Sequence, residues 1–272
     1  MELNDTLPTA IQHLRSTDVV SENVIETLSR TIINAVKRRV DTKVGIGFSG
    51  GVDSTLLAYI SEKLGKEFTL YTVGLPDAKD ILAAQTVADA MDWPLKVRIL
   101  ELGDIEAIIR EVIRLTGRRD PVTVGVGGVT YSVLSMMTEP ILLTGLGSEE
   151  IFAGYERHTG DITSACWEGL TQIWDRDITR DLGLARSFGK ELRLPFMDQA
   201  VIAYGMKIDP RRKVVDGHRK YVLREVAVHL GIPKEFAFRK KIAAQYGSKL
   251  DAAIEKLAKK NGMKKRSYLE SL

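Results

Sequence analysis

The chain has 272 residues, enough for a substantial core in one large domain or two smaller ones. Its 44% hydrophobic and 28% charged residues are ordinary for a soluble globular protein, and no apolar run is long enough to span a bilayer, which excludes a helical membrane protein. Lys and Arg exceed Asp and Glu by only three, 39 against 36, too mild a surplus to imply a nucleic-acid partner by itself. A single cysteine, Cys166, excludes an internal disulfide or a multi-cysteine metal site, and His13, His158, His218 and His229 lack metal-ligand spacing.

Residues 1–17 lack clear periodicity and are expected to be partly mobile. Their polar, acidic start has no signal-peptide pattern, so a cytoplasmic location is expected. From Ser21 onward, Val24, Ile25, Leu28, Ile32, Ile33, Val36 and Val40 recur at helical spacing and predict an amphipathic helix. Residues 43–48 form a short apolar stretch bounded by polar residues, as in a buried strand. Ser49-Gly50-Gly51-Val52-Asp53-Ser54 comes next, and then residues 55–64 predict a helix that Gly65 can end. A glycine-rich turn opening a helix aims several backbone N–H groups outward at the positive end of the helix dipole, a ready site for phosphate. The two glycines allow close backbone approach, Ser49 and Ser54 add hydroxyl donors, and Asp53 can hold the magnesium that accompanies a nucleotide.

Further strands are predicted at 67–73, 95–100 and 140–144. Helices are predicted from about Lys79 and from Asp104, as N-cap, to about Thr116. Strands alternating with helices imply a parallel sheet covered on both faces, in which ligands bind beyond the carboxyl ends of the strands. Both glycine turns, at 49–51 and 145–147, fall at such ends. Beyond about residue 160 the pattern becomes mostly helical, most clearly at 201–206, 220–230 and 249–260. Lys256, Lys259, Lys260, Lys264, Lys265 and Arg266 crowd the C-terminal end, read as a solvated helix face, with RNA or another polyanion as the sharper alternative.

The run Ser49–Ser54 lacks the Gly-Lys-Ser/Thr of a Walker A loop and resembles the pyrophosphate loop of the ATP pyrophosphatases, which cut ATP between its α and β phosphates. Thr144-Gly145-Leu146-Gly147-Ser148-Glu149-Glu150-Ile151-Phe152-Ala153-Gly154-Tyr155 is similar to the Ser-Gly-Glu-Gly-Ser-Asp-Glu-Ile-Phe-Gly-Gly-Tyr signature of the asparagine synthetase family. Four more stretches resemble that family in the same order: Val73-Gly74-Leu75 with Asp80 and residues 83–88; Arg180-Asp181 with residues 191–198; residues 219–225; and residues 239–248. The resemblance implies an α/β fold of the adenine nucleotide α-hydrolase-like, PP-loop type, with helices on both faces of a parallel sheet and a helical C-terminal half. It implies one synthetase domain over 1–272, in which 1–40 is a helical lead-in, 41–160 the nucleotide-binding core and 161–272 a mostly helical substrate-side part. ATP and Mg²⁺ are the implied cofactors. Ser49, Gly50, Gly51, Asp53, Ser54, Val73 and Gly145 fall on ATP and pyrophosphate positions, Asp53 and Glu149 on metal positions, and Lys220 on the catalytic lysine. Glu149 stands where the family usually has Asp.

Two departures bear on the reaction. Asparagine-forming members carry glutamate where this chain has Leu146, and that glutamate is placed to take a proton from ammonia, which leucine cannot do. Another base, such as Glu150 or Glu191, or a different amine is then required. The first strand begins some forty residues from Met1, so a glutaminase domain is not expected within this chain. The implied reaction is adenylation of a small-molecule carboxylate followed by attack of free ammonia, ammonia from a separate glutaminase subunit, or a substrate amine. The alternatives on the same loop are a tRNA-modifying enzyme and a nucleotide-binding homologue without asparagine synthetase activity.

Overall fold

A computed structural model describes residues 4, 6–158, 160–240 and 243–272. Lys241 and Ile242 of the last motif, and Met1 and Glu2 at the start, lie outside the described residues. Five strands, β1 (Val44–Gly47), β2 (Phe68–Gly74), β3 (Leu95–Ile99), β4 (Ile141–Leu143) and β5 (Glu191–Arg193), form one sheet in the order β3-β2-β1-β4-β5. Every pairing in it is parallel. All seven residues of β2 are buried, so both faces of the sheet are covered there, as the predicted α/β class requires.

The strand order fixes the place of the site. The chain runs outward from β1 through β2 to β3, then returns to β4 and β5 on the other side of β1. That reversal leaves a crevice beyond the carboxyl ends of β1 and β4. Ile46 is level with Leu143 across the pair, so the two glycine turns leave the sheet side by side. The helix after β1, Val52–Lys63, is buried from Val52 to Ser61 on all sides, which explains why its apolar residues form no single stripe.

Among the elements that escaped the periodicity, three shape the sheet and the core. Helix Pro121–Met136 contains three glycines, which depress helix propensity. It forms because Asp120 caps it, accepting from the Thr123 N–H at 2.9 Å, with Pro121 following. Its glycines let neighbours close in: a Cβ on Gly127 would lie 2.8 Å from Val112, and one on Gly128 2.5 Å from Leu250. Strand β5 is only three residues long and joins the sheet from within the mostly helical half. The third is a helical turn, Leu7–Gln12, inside the stretch expected to be partly mobile; it buries Leu7 and Ile11 in the core.

Asp104 also takes a different place from the one expected. The helix Leu102–Thr116 starts two residues earlier, and Asp104 reaches back to accept from the Glu101 N–H at 2.9 Å. Of the C-terminal cations, Lys265 pairs with Asp251 at 2.8 Å, Arg266 with Glu270 at 3.1 Å and Lys259 with Glu255 at 3.5 Å, the pattern of a solvated helix face. No helix among the described residues is long and apolar enough to cross a membrane.

Leu56 is fully buried in the inner helix, whereas Leu82 is 56% exposed. Leu56→Ala should cost about 2–5 kcal/mol of stability in urea unfolding. Leu82→Ala should stay within about 0.5 kcal/mol.

Candidate active site

The turn after β1 carries Gly50 at φ +63°, in the left-handed region, and a Cβ there would meet the Ala83 carbonyl oxygen at 2.7 Å. Gly51 then caps the helix Val52–Lys63, directing the first free N–H groups of a three-turn helix into the crevice. Asp53 sits in that first turn. From the other turn, Glu149 opens the short helix Ser148–Ile151.

A third segment meets them. The hairpin of β6 (Val214–Val215) and β7 (His218–Arg219) delivers Lys220 to the crevice. Lys220 is buried and adopts φ +53°, a left-handed conformation that costs a lysine about 1–2 kcal/mol. Its Nζ lies 2.6 Å from Asp53 Oδ2, 2.6 Å from Glu149 Oε1 and 3.3 Å from Ser148 Oγ. Two carboxylates that converge on one cationic centre are the donor set a hard divalent ion takes beside phosphate oxygens. Gly154 is required here, because a Cβ would lie 2.6 Å from Lys220 Cε and collide with the Glu149 carboxylate. The expected residues from all three segments are thus brought together at one point. Gly145 packs directly on Asp53, and Val73, Ser49, Ser54 and Gly145 line the same cleft, whose volume is about 490 Å³.

The cleft has a second wall that residue spacing did not reveal. The helix Ile162–Ile173 passes through a π turn, Trp174–Ile178, into Thr179–Ser187. Such turns are frequent at functional sites. Around this one, Arg176 donates to Asp177 at 2.5 Å and to Glu150 at 2.6 Å, while Arg180 grips Asp177 at 2.9 Å and Asp181 at 2.8 Å. Arg180 and Asp181, a matching dipeptide in the sequence, form an ion pair that helps set this wall. Val122, Val126, Val129 and Val133 of the helix Pro121–Met136, which packs against Thr179–Ser187, make the cleft largely apolar, together with half-buried Leu146.

The two candidate substitute bases fare differently. Glu191 begins β5, at the end of the sheet away from both glycine turns, and pairs with Arg193 at 2.7 Å; it has no access to the crevice. Glu150 is fully buried. Burial pushes its carboxyl up from the ordinary range, opposed by the Arg176 charge. Its Oε1 accepts from the Tyr155 hydroxyl at 2.9 Å, so Tyr155, which lines the cleft, stands between Glu150 and any ligand. Cys166 is buried and its thiol is pushed up by burial, which makes it a poor nucleophile. Asp80, Ala243, Ala244 and Gln245 of the other motifs also line the cleft, whereas two residues of the 191–198 stretch are scaffolding: Arg193 donates to the Arg39 carbonyl and to Asp41, and Asp198 holds Arg39 at 2.6 Å while capping the helix Gln199–Lys207.

Comparison with known proteins places this arrangement. The chain is 29% identical to a putative glutamine-hydrolyzing asparagine synthetase of Methanocaldococcus jannaschii over 92% of its length, covering 54% of that protein. It is 28% identical to human asparagine synthetase over 83% of its length, covering 44% of that protein. The chain thus spans about half the length of the curated relatives it matches. A solved structure described as a predicted subunit of tRNA methyltransferase, also from Methanocaldococcus jannaschii, has a TM-score of 0.43 at 20% identity, over 84% of this chain and 91% of that one. At that distance the likeness says nothing about what this chain does. The family model described as asparagine synthase matches residues 27–170 and 158–271, so the chain, from the helix before β1 to its last helix, belongs to the asparagine synthase family.

Proposed function

We propose that this chain is an ATP-dependent, AMP-forming ligase that adenylates a substrate carboxylate and passes the acyl group to ammonia or another amine. The observation that carries the reading is the Lys220 ammonium held 2.6 Å from both Asp53 and Glu149, beside a glycine turn that opens a buried helix. In this reading residues 1–272 act as one synthetase unit. The turn at Ser49–Ser54 takes the pyrophosphate end of ATP on its free N–H groups, and Val73 and Gly145 flank the nucleotide. A carboxylate oxygen of the substrate attacks the α-phosphorus, the bond from that phosphorus to the bridging oxygen breaks, and pyrophosphate leaves. The amine nitrogen then attacks the acyl carbon, AMP departs, and the nitrogen gives up a proton. Asp53 and Glu149 would hold Mg²⁺, which when bound supplies charge neutralisation for the phosphates. With Mg²⁺ on Asp53 and Glu149, the Lys220 ammonium would be released from those carboxylates and turn to the negative charge that develops at the reacting centre.

The acceptor is read from the cleft wall. Leu146 lines the cleft where asparagine-forming members carry a glutamate, and four valines line it as well, so the pocket favours a carboxylate with an apolar body over aspartate. The amine comes as free ammonia, from a separate glutaminase subunit, or from a substrate. The alternative of a tRNA-modifying enzyme rests on the six C-terminal cations, three of which, Lys259, Lys265 and Arg266, pair with neighbouring acids.

ATP–pyrophosphate exchange across a panel of carboxylates tests the reading, because it registers adenylation before the amine is known. Exchange that depends on one carboxylate is expected, and binding of ATP without exchange for any of them would leave a nucleotide-binding homologue. Lys220→Ala should lower kcat by about 10²–10³-fold with a smaller effect on ATP affinity. Normal turnover at saturating ATP with weakened binding would make Lys220 a ground-state phosphate contact instead.

Aspartate with ammonia should be a poor substrate pair for the unmodified chain, since a general base typically contributes about 10²–10⁴-fold. Leu146→Glu should raise asparagine formation if the pocket admits aspartate. Efficient asparagine synthesis by the unmodified chain, measured by amino-acid analysis, would contradict the role given to Leu146.

A further inference from the structure

Among the arginines near the cleft that bond to no carboxylate among the described residues, Arg239 and Arg224 bond to backbone carbonyls that link the glycine turn to the Lys220 segment. Arg239 donates from Nε to the Gly50 carbonyl at 2.9 Å and from Nη2 to the Ser49 carbonyl at 2.7 Å. Arg224, buried in the helix that begins after Lys220, donates from Nε to the Arg219 carbonyl at 2.8 Å. Its Nη1 donates to the carbonyls of Ala237 at 2.6 Å and Arg239 at 3.1 Å. Burial lowers the ordinary value of both guanidiniums, though not enough to discharge an arginine. The bonds form a series. The backbone just before Lys220 is tied to Arg224, Arg224 to the backbone of Arg239, and the Arg239 side chain to the two carbonyls of the glycine turn.

We propose that Arg239 and Arg224 are positioning residues that brace the glycine turn against the Lys220 segment. The two Arg239 bonds draw the Ser49 and Gly50 carbonyls, which would repel an anion, toward the guanidinium. The turn's N–H groups are then left for the phosphates, with the Arg239 guanidinium behind them. Arg224 sets where the Arg239 backbone stands relative to Lys220, so the pyrophosphate site and the lysine are held in one register although 167 residues separate Asp53 from Lys220. A planar fork is needed for the two-carbonyl grip, and lysine cannot make it. This assignment rests on the nucleotide-binding reading of the turn for its purpose, but the brace itself is a property of the free protein.

The experiment compares the full chain with Arg239→Lys and Arg224→Lys, which keep the charge. In the free protein, amide hydrogen exchange is followed at Phe48 and Thr55, bonded to the Tyr71 and Gly51 carbonyls on either side of the turn. Measurements are made well below melting, where each variant is folded. The brace predicts about tenfold faster exchange at these two amides in Arg239→Lys, a smaller increase in Arg224→Lys, and no change in β3. Magnesium pyrophosphate is the binding probe. Its affinity should fall about tenfold or more in Arg239→Lys, the scale of a lost charge-assisted hydrogen bond, and recover when methylguanidinium is added to Arg239→Ala. Wild-type exchange at Phe48 and Thr55 in Arg239→Lys would overturn the brace, and full pyrophosphate affinity in that variant would show that charge alone suffices and overturn it as well. If the unmodified chain binds no pyrophosphate, the nucleotide reading fails, and hydrogen exchange in the free protein still decides the brace.

Discussion

The buried contact of one ammonium with two carboxylates organises this molecule. Lys220, Asp53 and Glu149 come from segments far apart in sequence, and each would be costly to bury alone. Removing Lys220 takes away the cation that the two carboxylates share, a loss that typically reaches several kcal/mol for a buried ion pair. The left-handed backbone at Lys220 and the lack of any side chain at Gly154 are both consequences of bringing these charges within 2.6 Å. Such strain persists only where surrounding structure over-determines it, and it is characteristic of sites that must be ready before a ligand arrives.

The parallel sheet makes that convergence possible. Because the chain reverses direction beside β1, two glycine turns leave the sheet next to each other, and neither is blocked by a crossover helix. The C-terminal half closes the third side with the β6–β7 hairpin and the fourth with the π turn. One end of the cleft is therefore rich in backbone N–H groups and cations, suited to phosphates. The other is an apolar wall set in a network of matched ions, Arg176 and Arg180 with Glu150, Asp177 and Asp181. This largely buried ion network reaches Tyr155 through Glu150, whose Oε1 accepts from the Tyr155 hydroxyl, and so orients that side chain in the cleft.

The strand, glycine turn and helix around residues 44–63 were legible because they are consecutive in sequence. The four strands expected from short apolar runs all form, with ends shifted by a residue. What periodicity could not give depends on partners distant in the chain. Helix Pro121–Met136 is stabilised by packing that its glycines permit, strand β5 is too short to register a period, and the grip of Arg239 on Ser49 and Gly50 spans some 190 residues. Glu191 and Glu150 looked equivalent as carboxylates near matching motifs. Only the sheet register separates them, sending one to the far end and burying the other behind Tyr155.

Every part of this account turns on where ATP is cut. Phosphorus NMR of the full chain with ATP, magnesium, ammonia and the carboxylate that supports exchange reads that directly. The account predicts AMP and pyrophosphate appearing in equal amounts, with formation dependent on the carboxylate. ADP and inorganic phosphate as the products would contradict it, because a turn that holds pyrophosphate beside Lys220 leaves the α-phosphorus, not the γ, as the centre under attack.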